Sequence, residues 1–181
     1  MKLRYPAATL ALAVLAACVP SVQPPPPRPA PAPSPTPTRA PPPPVASPSF
    51  DNWMDAPRTP GDWFYKAIPP YSYAAYGRSD TDFAFVLRCD RANRLVSLGR
   101  VSGQQGQQPM QIRTETLTRL LTAAPRRGSM ETLLAADLPA ADALLDAMAI
   151  SKGRFAVEVP GETTLYLPSW PEVTRVIEDC R

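Results

Sequence analysis

The acidic and basic residues of this 181-residue chain form few of the arrangements that are typical of catalytic sites. Histidine is absent, which excludes Ser-His-Asp and Cys-His catalytic arrangements and removes a common zinc and haem ligand. Neighbouring carboxylates occur at Asp80 and Asp82, Asp142 and Asp146, and Glu178 and Asp179. Each of these positions is typical of a turn, a helix surface or a chain end. A glycosidase pair can come from carboxylates far apart in sequence, so a carboxylate enzyme stays open as the weaker alternative. We expect a non-catalytic protein with no catalytic residue, no metal and no cofactor.

A second group of side chains is suited to binding rather than to catalysis. Six aromatic residues cluster early in the predicted domain: Trp53, Trp63, Tyr65, Tyr71, Tyr73 and Tyr76. Amphipathic aromatic side chains stack on sugar rings and form protein-binding hot spots, which makes this cluster a candidate binding surface. The alternative, which we favour, is that they fill the core, because a small domain needs its large residues inside. Five arginines are predicted at outward strand positions: Arg88, Arg100, Arg113, Arg119 and Arg154.

The first residues have the pattern of an export signal. Lys2 and Arg4 precede an apolar run, Ala7–Val14, that is too short to span a bilayer. The run ends in Leu15-Ala16-Ala17-Cys18, which resembles the lipobox of bacterial lipoproteins. The resemblance implies cleavage after residue 17, diacylation of the Cys18 sulfur and acylation of the new amino terminus. Several acyl chains on one residue give stable anchoring.

These features predict that residues 1–17 are a lipoprotein signal peptide. They also predict that the mature protein is lipid-anchored and faces the periplasm. Val19 follows the cysteine in place of the aspartate associated with inner-membrane retention. Outer-membrane sorting is therefore expected over inner-membrane retention. The alternative is a plain secretory signal with an incidental cysteine.

Residues 18–49 contain the lipidated cysteine and a proline-rich linker. Between Val19 and Ser49, 15 of 31 residues are proline, a composition that forms neither a core nor a helix. It favours polyproline II at about 3.1 Å per residue, so Pro20–Pro48 reaches roughly 90 Å when extended. We interpret the segment as a disordered, semi-rigid spacer between membrane and domain. The alternative is a ligand for proline-recognising domains.

The charge distribution removes the main electrostatic argument for nucleic-acid binding. The whole chain has a net charge of +3, but four of its 19 basic residues and none of its 16 acidic residues precede residue 50. The remainder has 15 basic and 16 acidic residues, a net charge of −1. Nucleic-acid binding depends on clustered positive charge, so we expect no nucleic-acid partner. The expected partners are the membrane, through the acyl chains, and an envelope protein or peptidoglycan.

With Cys18 assigned to the anchor, Cys89 and Cys180 remain. An isolated pair in an oxidising compartment indicates a disulfide. Strict alternation over Asp82–Asp90 puts Phe83, Phe85, Leu87 and Cys89 on one strand face. Helical spacing puts Cys180 on one face with Val173, Val176 and Ile177. A bridge would pin a C-terminal helix onto a sheet. A redox-active pair is the disfavoured alternative, because there is no C-x-x-C motif and buried cysteines are poor nucleophiles.

Residues 50–181 are predicted to form one α+β domain, mainly an antiparallel β sandwich or open barrel with two short helices. One helix is expected over Asp137–Lys152 with Asp137 as its cap, and the other after a capping box at Ser169 and Glu172. Strands are expected at residues 94–101, 109–114, 117–122, 130–136, 153–159 and 163–167. Ser102–Gln108 is expected to be a flexible polar loop.

Three segments carry a family resemblance: Phe85–Asp90, Asp142–Phe155, and Leu167–Glu172 with Arg175–Arg181. Together they resemble a group of uncharacterised alphaproteobacterial lipoproteins, for which no activity can be carried over. In layout alone, the chain is similar to periplasmic lysozyme inhibitors and invasion-associated locus B proteins. The function expected is a membrane-anchored periplasmic lipoprotein acting as a binding or structural module. The alternative is a hydrolase inhibitor that inserts the Ser102–Gln108 loop into a cleft.

Overall fold

A computed structural model describes residues 52–127 and 131–181, and within them alternating apolar residues form the strands of one antiparallel sheet. The predicted signal peptide, Cys18, the spacer and Met130 lie outside the described residues. The strands are β1 (Asp62–Ile68), β2 (Tyr71–Gly77), β3 (Phe83–Asp90), β4 (Leu95–Val101), β5 (Gln108–Arg113), β6 (Thr118–Arg127), β7 (Thr132–Pro139), β8 (Arg154–Glu158) and β9 (Leu165–Pro168). The helices are α1 (Ala143–Ile150) and α2 (Pro171–Asp179), and a 3₁₀ turn covers Trp53–Asp55.

The sheet has the strand order β1-β2-β3-β4-β7-β6-β5-β8-β9 and curls into an open half-barrel. β6 joins its two halves, since its first part pairs with β5 and its last four residues pair with β7. Across the opening, the indole Nε1 of Trp63 in β1 donates to the carbonyl of Pro168 in β9 at 2.8 Å. The predicted fold class, an α+β domain with an open antiparallel barrel and two short helices, is therefore confirmed.

The core lies inside the curl of the sheet and is closed by the two helices. Its centre is an aromatic cluster of Trp63, Tyr76, Phe85 and Phe155, with ring centroids 5.1–6.5 Å apart. Leu144, Leu145 and Met148 of α1 are fully buried beside it. Edge-to-face aromatic pairs at such distances contribute to stability beyond the area they bury.

The predicted disulfide is present between Cys89 in β3 and Cys180 after α2, with Cα atoms 5.4 Å apart. Val173, Val176 and Ile177 of α2 are buried against the same face. The helix and the bridge together hold the C-terminus on the sheet.

Both predicted helix caps are wrong. Asp137 lies in β7, opposite Ser97 of β4, because the pairing of β7 with β4 continues through Pro139. The helix starts only at Ala143, and the carboxylate of Asp142 accepts the amide of Leu144 at 2.8 Å. In α2, Trp170 occupies the N-cap position without a side-chain cap, and Pro171 takes the first helical position. The helix therefore begins one residue later than a capping box from Ser169 requires.

No helix in the described part of the chain is long and apolar enough to cross a membrane.

Candidate ligand-binding groove

The structure separates the six aromatic residues of the predicted binding surface. Trp63 is 6% exposed and Tyr76 is fully buried. The Tyr76 hydroxyl donates to the carbonyl of Thr59 at 2.6 Å, so even its polar end is occupied. Both residues belong to the core, as the favoured alternative predicts, and they do not form part of a binding surface. Their inward positions on β1 and β2 face the centre of the curled sheet.

Tyr65 links β1 to α2. Its hydroxyl donates to the Asp179 carboxylate at 2.6 Å, and the Arg175 guanidinium lies 4.0 Å from its ring centroid. Arg91 forms an ion pair with the same carboxylate at 3.3 Å. Partial burial alone would raise the pKa of Asp179. The hydroxyl groups of Ser72 and Tyr65 and the charge of Arg91 outweigh it and lower the pKa below the ordinary 3.8.

The lowered pKa of Asp179 predicts an acid-dependent loss of stability. A carboxyl whose folded-state pKa is depressed stabilises the fold above its unfolded-state pKa, and this contribution disappears as the pH falls through the folded-state value. We expect the free energy of unfolding to decline below about pH 4, and Asp179→Asn to be destabilised at pH 7 with a flatter decline. Urea unfolding between pH 7 and pH 3 measures both, and Glu178→Gln controls for loss of a charge on the same helix. An unchanged slope in Asp179→Asn would contradict the prediction.

Trp53 lies in the 3₁₀ turn before the sheet, where the Arg113 guanidinium is 5.6 Å from its ring centroid. Tyr71 and Tyr73 lie on β2 and are partly exposed, with Tyr73 opposite Arg88 of β3. Tyr73 lines a groove of about 510 Å³ on the sheet face opposite the core. Of the six predicted residues, Tyr73 is the one that lines this groove, and Tyr71 stacks on a groove arginine.

The floor of the groove is made of small residues in one row across the sheet. Ala75, Val86, Gly99 and Ala135 are paired in succession through β2, β3, β4 and β7. They alternate along their strands with core residues such as Tyr76, Phe85, Leu98 and Leu134, which places them on the opposite face. A Cβ atom at Gly99 would lie 3.0 Å from Cγ1 of Val86 and 3.3 Å from Cδ1 of Leu133. The missing side chain keeps the floor open at its middle.

Polar and charged residues form one side of the groove. The next cross-strand row contains Tyr73, Arg88, Ser97 and Asp137. Arg126 donates to both Asp137 carboxylate oxygens, at 3.0 and 2.7 Å, and to the Ser97 hydroxyl at 3.2 Å. Hydrogen bonding from Arg126 lowers the pKa of Asp137. On the rim, Lys66 pairs with Asp80 and lowers the pKa of that carboxyl.

Arg88 is held differently from the other charged residues around the groove. Its guanidinium carbon lies 3.8 Å from the centroid of the Tyr71 ring. Among the described residues no carboxylate lies within ion-pair distance of it, although its charge contributes to lowering the pKa of Asp90 and of Asp137. A guanidinium stacked on an aromatic face keeps its N–H edge available for a planar anion. Arg88 is therefore positioned as a cation that a ligand can reach.

Three more of the predicted outward arginines have structural partners, and the first of them, Arg113 in β5, pairs with Glu158 of β8 at 3.1 Å. Arg119 donates to both oxygens of Asp142 at 2.6 and 2.8 Å. Arg154 donates to the carbonyl of Ala56. The last two contacts link β6 to the start of α1, and β8 to the segment before the sheet.

Arg100 contradicts the prediction of an outward position, since it is 5% exposed. It pairs with Glu162 at 2.6 Å and donates to the carbonyls of Val157 and Thr163. Arg100 has the same parity along β4 as the core residues Val96 and Leu98, and it lies opposite Phe85 and Leu134. Its position is therefore on the core side of the sheet, where Glu162 of the β8–β9 turn supplies the opposite charge.

The Ser102–Gln108 loop is fixed at its start and exposed at its middle. Ser102 donates to Glu162, and the Gln104 side chain donates to the carbonyl of Pro160 at 2.7 Å. Gly103, Gln105, Gly106 and Gln107 are exposed. The predicted flexible loop therefore has an anchored base.

Of the residues that line the groove, sequence reasoning singled out only Tyr73 and Arg88 as candidates for a surface. Gly99 and Phe83 are two of those that it missed. An isolated glycine within a strand pattern signals close approach of other groups, and Gly99 provides that signal in RLVSLGRV. Phe83 was expected to face the core with Phe85, but it is half-buried and lines the groove. A register shift between Tyr76 and Gly77 interrupts the alternation at this end of β3.

Within residues 52–127 and 131–181, no three acidic or cysteine side chains are grouped so that they could hold a metal ion. Neither a protein-family model, nor a curated protein, nor a solved structure matches the chain.

Proposed function

We propose that this protein is a membrane-anchored periplasmic lipoprotein whose domain is a non-catalytic binding module, displayed on a proline-rich spacer. The observation that carries the binding role is the groove opposite the core, with its apolar floor and charged rim. A volume of about 510 Å³ is within the range of small-molecule sites. The resemblance of residues 15–18 to a lipobox supports the anchor, and the resemblance to alphaproteobacterial lipoproteins supports the envelope location.

The anchor and the groove are tested separately. For the anchor, we expect the full chain expressed in a Gram-negative host to incorporate labelled palmitate and to sediment with outer membranes. Cys18→Ser should remove both properties. Labelling that persists in Cys18→Ser would contradict lipidation at this residue.

For the groove, a photo-crosslinking amino acid is placed at Tyr73 in the anchored full chain. We expect a discrete adduct after irradiation of intact cells, because Tyr73 lines the groove. The same amino acid at Leu120, which is 65% exposed and outside the groove, is the control and should give none. Equal adducts from both positions, or none from either, would contradict a groove-based binding module. Mass spectrometry of the adduct identifies what the groove holds.

A second candidate function is inhibition of a wall hydrolase by the Ser102–Gln108 loop. The anchored base and exposed middle of this loop favour it, since a loop that is already ordered loses less entropy on entering a cleft. A lysozyme assay with the full chain tests this function. Replacing Gln105 and Gln107 by alanine should then relieve inhibition, whereas Leu120→Ala should not.

A further inference from the structure

The lining of the groove combines an apolar floor with an excess of positive charge. Its charged residues are three arginines, Arg88, Arg126 and Arg127, and two acids, Asp80 and Glu131. Arg126 is neutralised by Asp137 and Asp80 by Lys66. Among the described residues this leaves Arg88, Arg127 and Glu131 outside ion pairs, a net charge of +1. Charge complementarity therefore favours a singly charged anion.

The floor determines what the rest of such a ligand can be. Ala75, Val86, Gly99, Leu133 and Ala135 offer only apolar groups and a strand backbone whose hydrogen bonds are used within the sheet. The neutral hydrogen-bonding side chains of the lining are Tyr73 and Ser97. The Ser97 hydroxyl already donates to Asp137 at 2.5 Å and accepts from Arg126.

A peptide lying across this floor would lose hydration of its amides without finding partners for most of them. Burying an unpaired polar group is unfavourable, and an unbranched hydrocarbon chain has no such group. Burial of its methylenes is favourable in proportion to the area removed from water. The side walls of the groove are formed by Ile68, Tyr73 and Phe83. Their apolar and aromatic side chains can contact the same hydrocarbon chain.

We infer that the groove binds an apolar carboxylic acid of the fatty-acid class, with its carboxylate on Arg88 and its hydrocarbon chain over the Gly99 floor. Arg88 is a binding residue in this arrangement, and Tyr71 is a positioning residue that holds the guanidinium flat at 3.8 Å. Arg guanidinium and carboxylate form paired, charge-assisted hydrogen bonds, which provide the discrimination between an acid and a neutral chain of equal length. The inference rests on the proposed binding function and names its ligand class.

The test is calorimetric titration of the full chain with laurate below its micelle concentration. The protein carries Cys18→Ser, so that no acyl chain of its own competes for the groove. Dodecanol serves as the neutral probe of equal chain length, and trileucine with a free carboxylate represents a peptide occupant. We expect laurate to bind at one site per chain and dodecanol to bind at least about tenfold more weakly.

The variants separate the head group from the chain. Arg88→Met should weaken laurate about tenfold or more and leave dodecanol unchanged. Arg113→Met is the matched control, because Arg113 also lies beside an aromatic ring but outside the groove, and it should bind laurate normally. Ala135→Leu should fill the floor and weaken both probes. Thermal unfolding checks the fold of each variant, and Tyr73→Ala replaces Ala135→Leu if that variant does not fold.

Equal affinity for laurate and dodecanol, or unchanged laurate binding by Arg88→Met, would overturn the inference. So would binding of trileucine without laurate, or binding of no probe at all. These failures are distinguishable from failure of the proposed function, because a groove adduct from Tyr73 in cells would then still show a binding module with a different ligand.

Discussion

Replacing Glu162 by alanine should destabilise the domain by about 3–5 kcal/mol, the range for removing one partner of a buried ion pair. The side chain of Arg100 is 6% exposed and that of Glu162 is 17% exposed. Without Glu162, the Arg100 charge stays enclosed with only the carbonyls of Val157 and Thr163 as acceptors. The Ser102 hydroxyl loses its acceptor as well.

Urea unfolding measures this effect, with Glu178→Ala as the matched control. Glu178 pairs with Arg181 at 3.1 Å, but its side chain is 59% exposed, so its loss should cost about 1 kcal/mol or less. Similar losses in the two variants would mean that water reaches Arg100 and that the pair does not close this end of the half-barrel.

The double variant Arg100→Met with Glu162→Leu refines the same prediction. Replacing a buried pair by apolar groups of similar volume is often neutral or stabilising, so the double variant should be more stable than Glu162→Ala. A double variant at least as unstable as the single variant would attribute the loss to packing rather than to an uncompensated charge.

Removal of the Cys89–Cys180 bridge should cost about 2–5 kcal/mol. The two cysteines are 91 positions apart, and closing so long a loop restricts the unfolded chain strongly in the chain-entropy description. The measurement is the urea midpoint of oxidised protein against Cys89→Ala/Cys180→Ala. Added reductant should lower the midpoint of the former and leave that of the latter unchanged.

Loss of the bridge should also act locally on α2. Buried Val173, Val176 and Ile177 and the contact of Asp179 with Tyr65 still hold the helix, but its C-terminal end loses its covalent link to β3. We expect hydrogen exchange of α2 amides to accelerate more than that of β4 amides, which lie inside the sheet. Uniform acceleration would show that the helix and the sheet open as one unit.

The alternating segments of the sequence determined most of the strands, because alternation reports directly which side of a strand is buried. Alternation placed Cys89 on the apolar face of a strand, and helical spacing placed Cys180 on the apolar face of a helix. The structure joins these two cysteines in a disulfide. The amphipathic spacing of Val173, Val176 and Ile177 likewise identified the buried face of α2. Each of these inferences needs only neighbours along the chain.

The tertiary structure decided what depends on curvature and register. Arg100 has the core-facing parity of Val96 and Leu98, but only the tertiary structure brings Glu162 of the β8–β9 turn against it as a partner for its charge. Asp137 is a residue type that is favoured at helix N-caps, yet pairing with β4 keeps it in a strand. The groove itself needs Ala75, Val86, Gly99 and Ala135 in one row across four strands. That register is set by long-range pairing rather than by any local pattern.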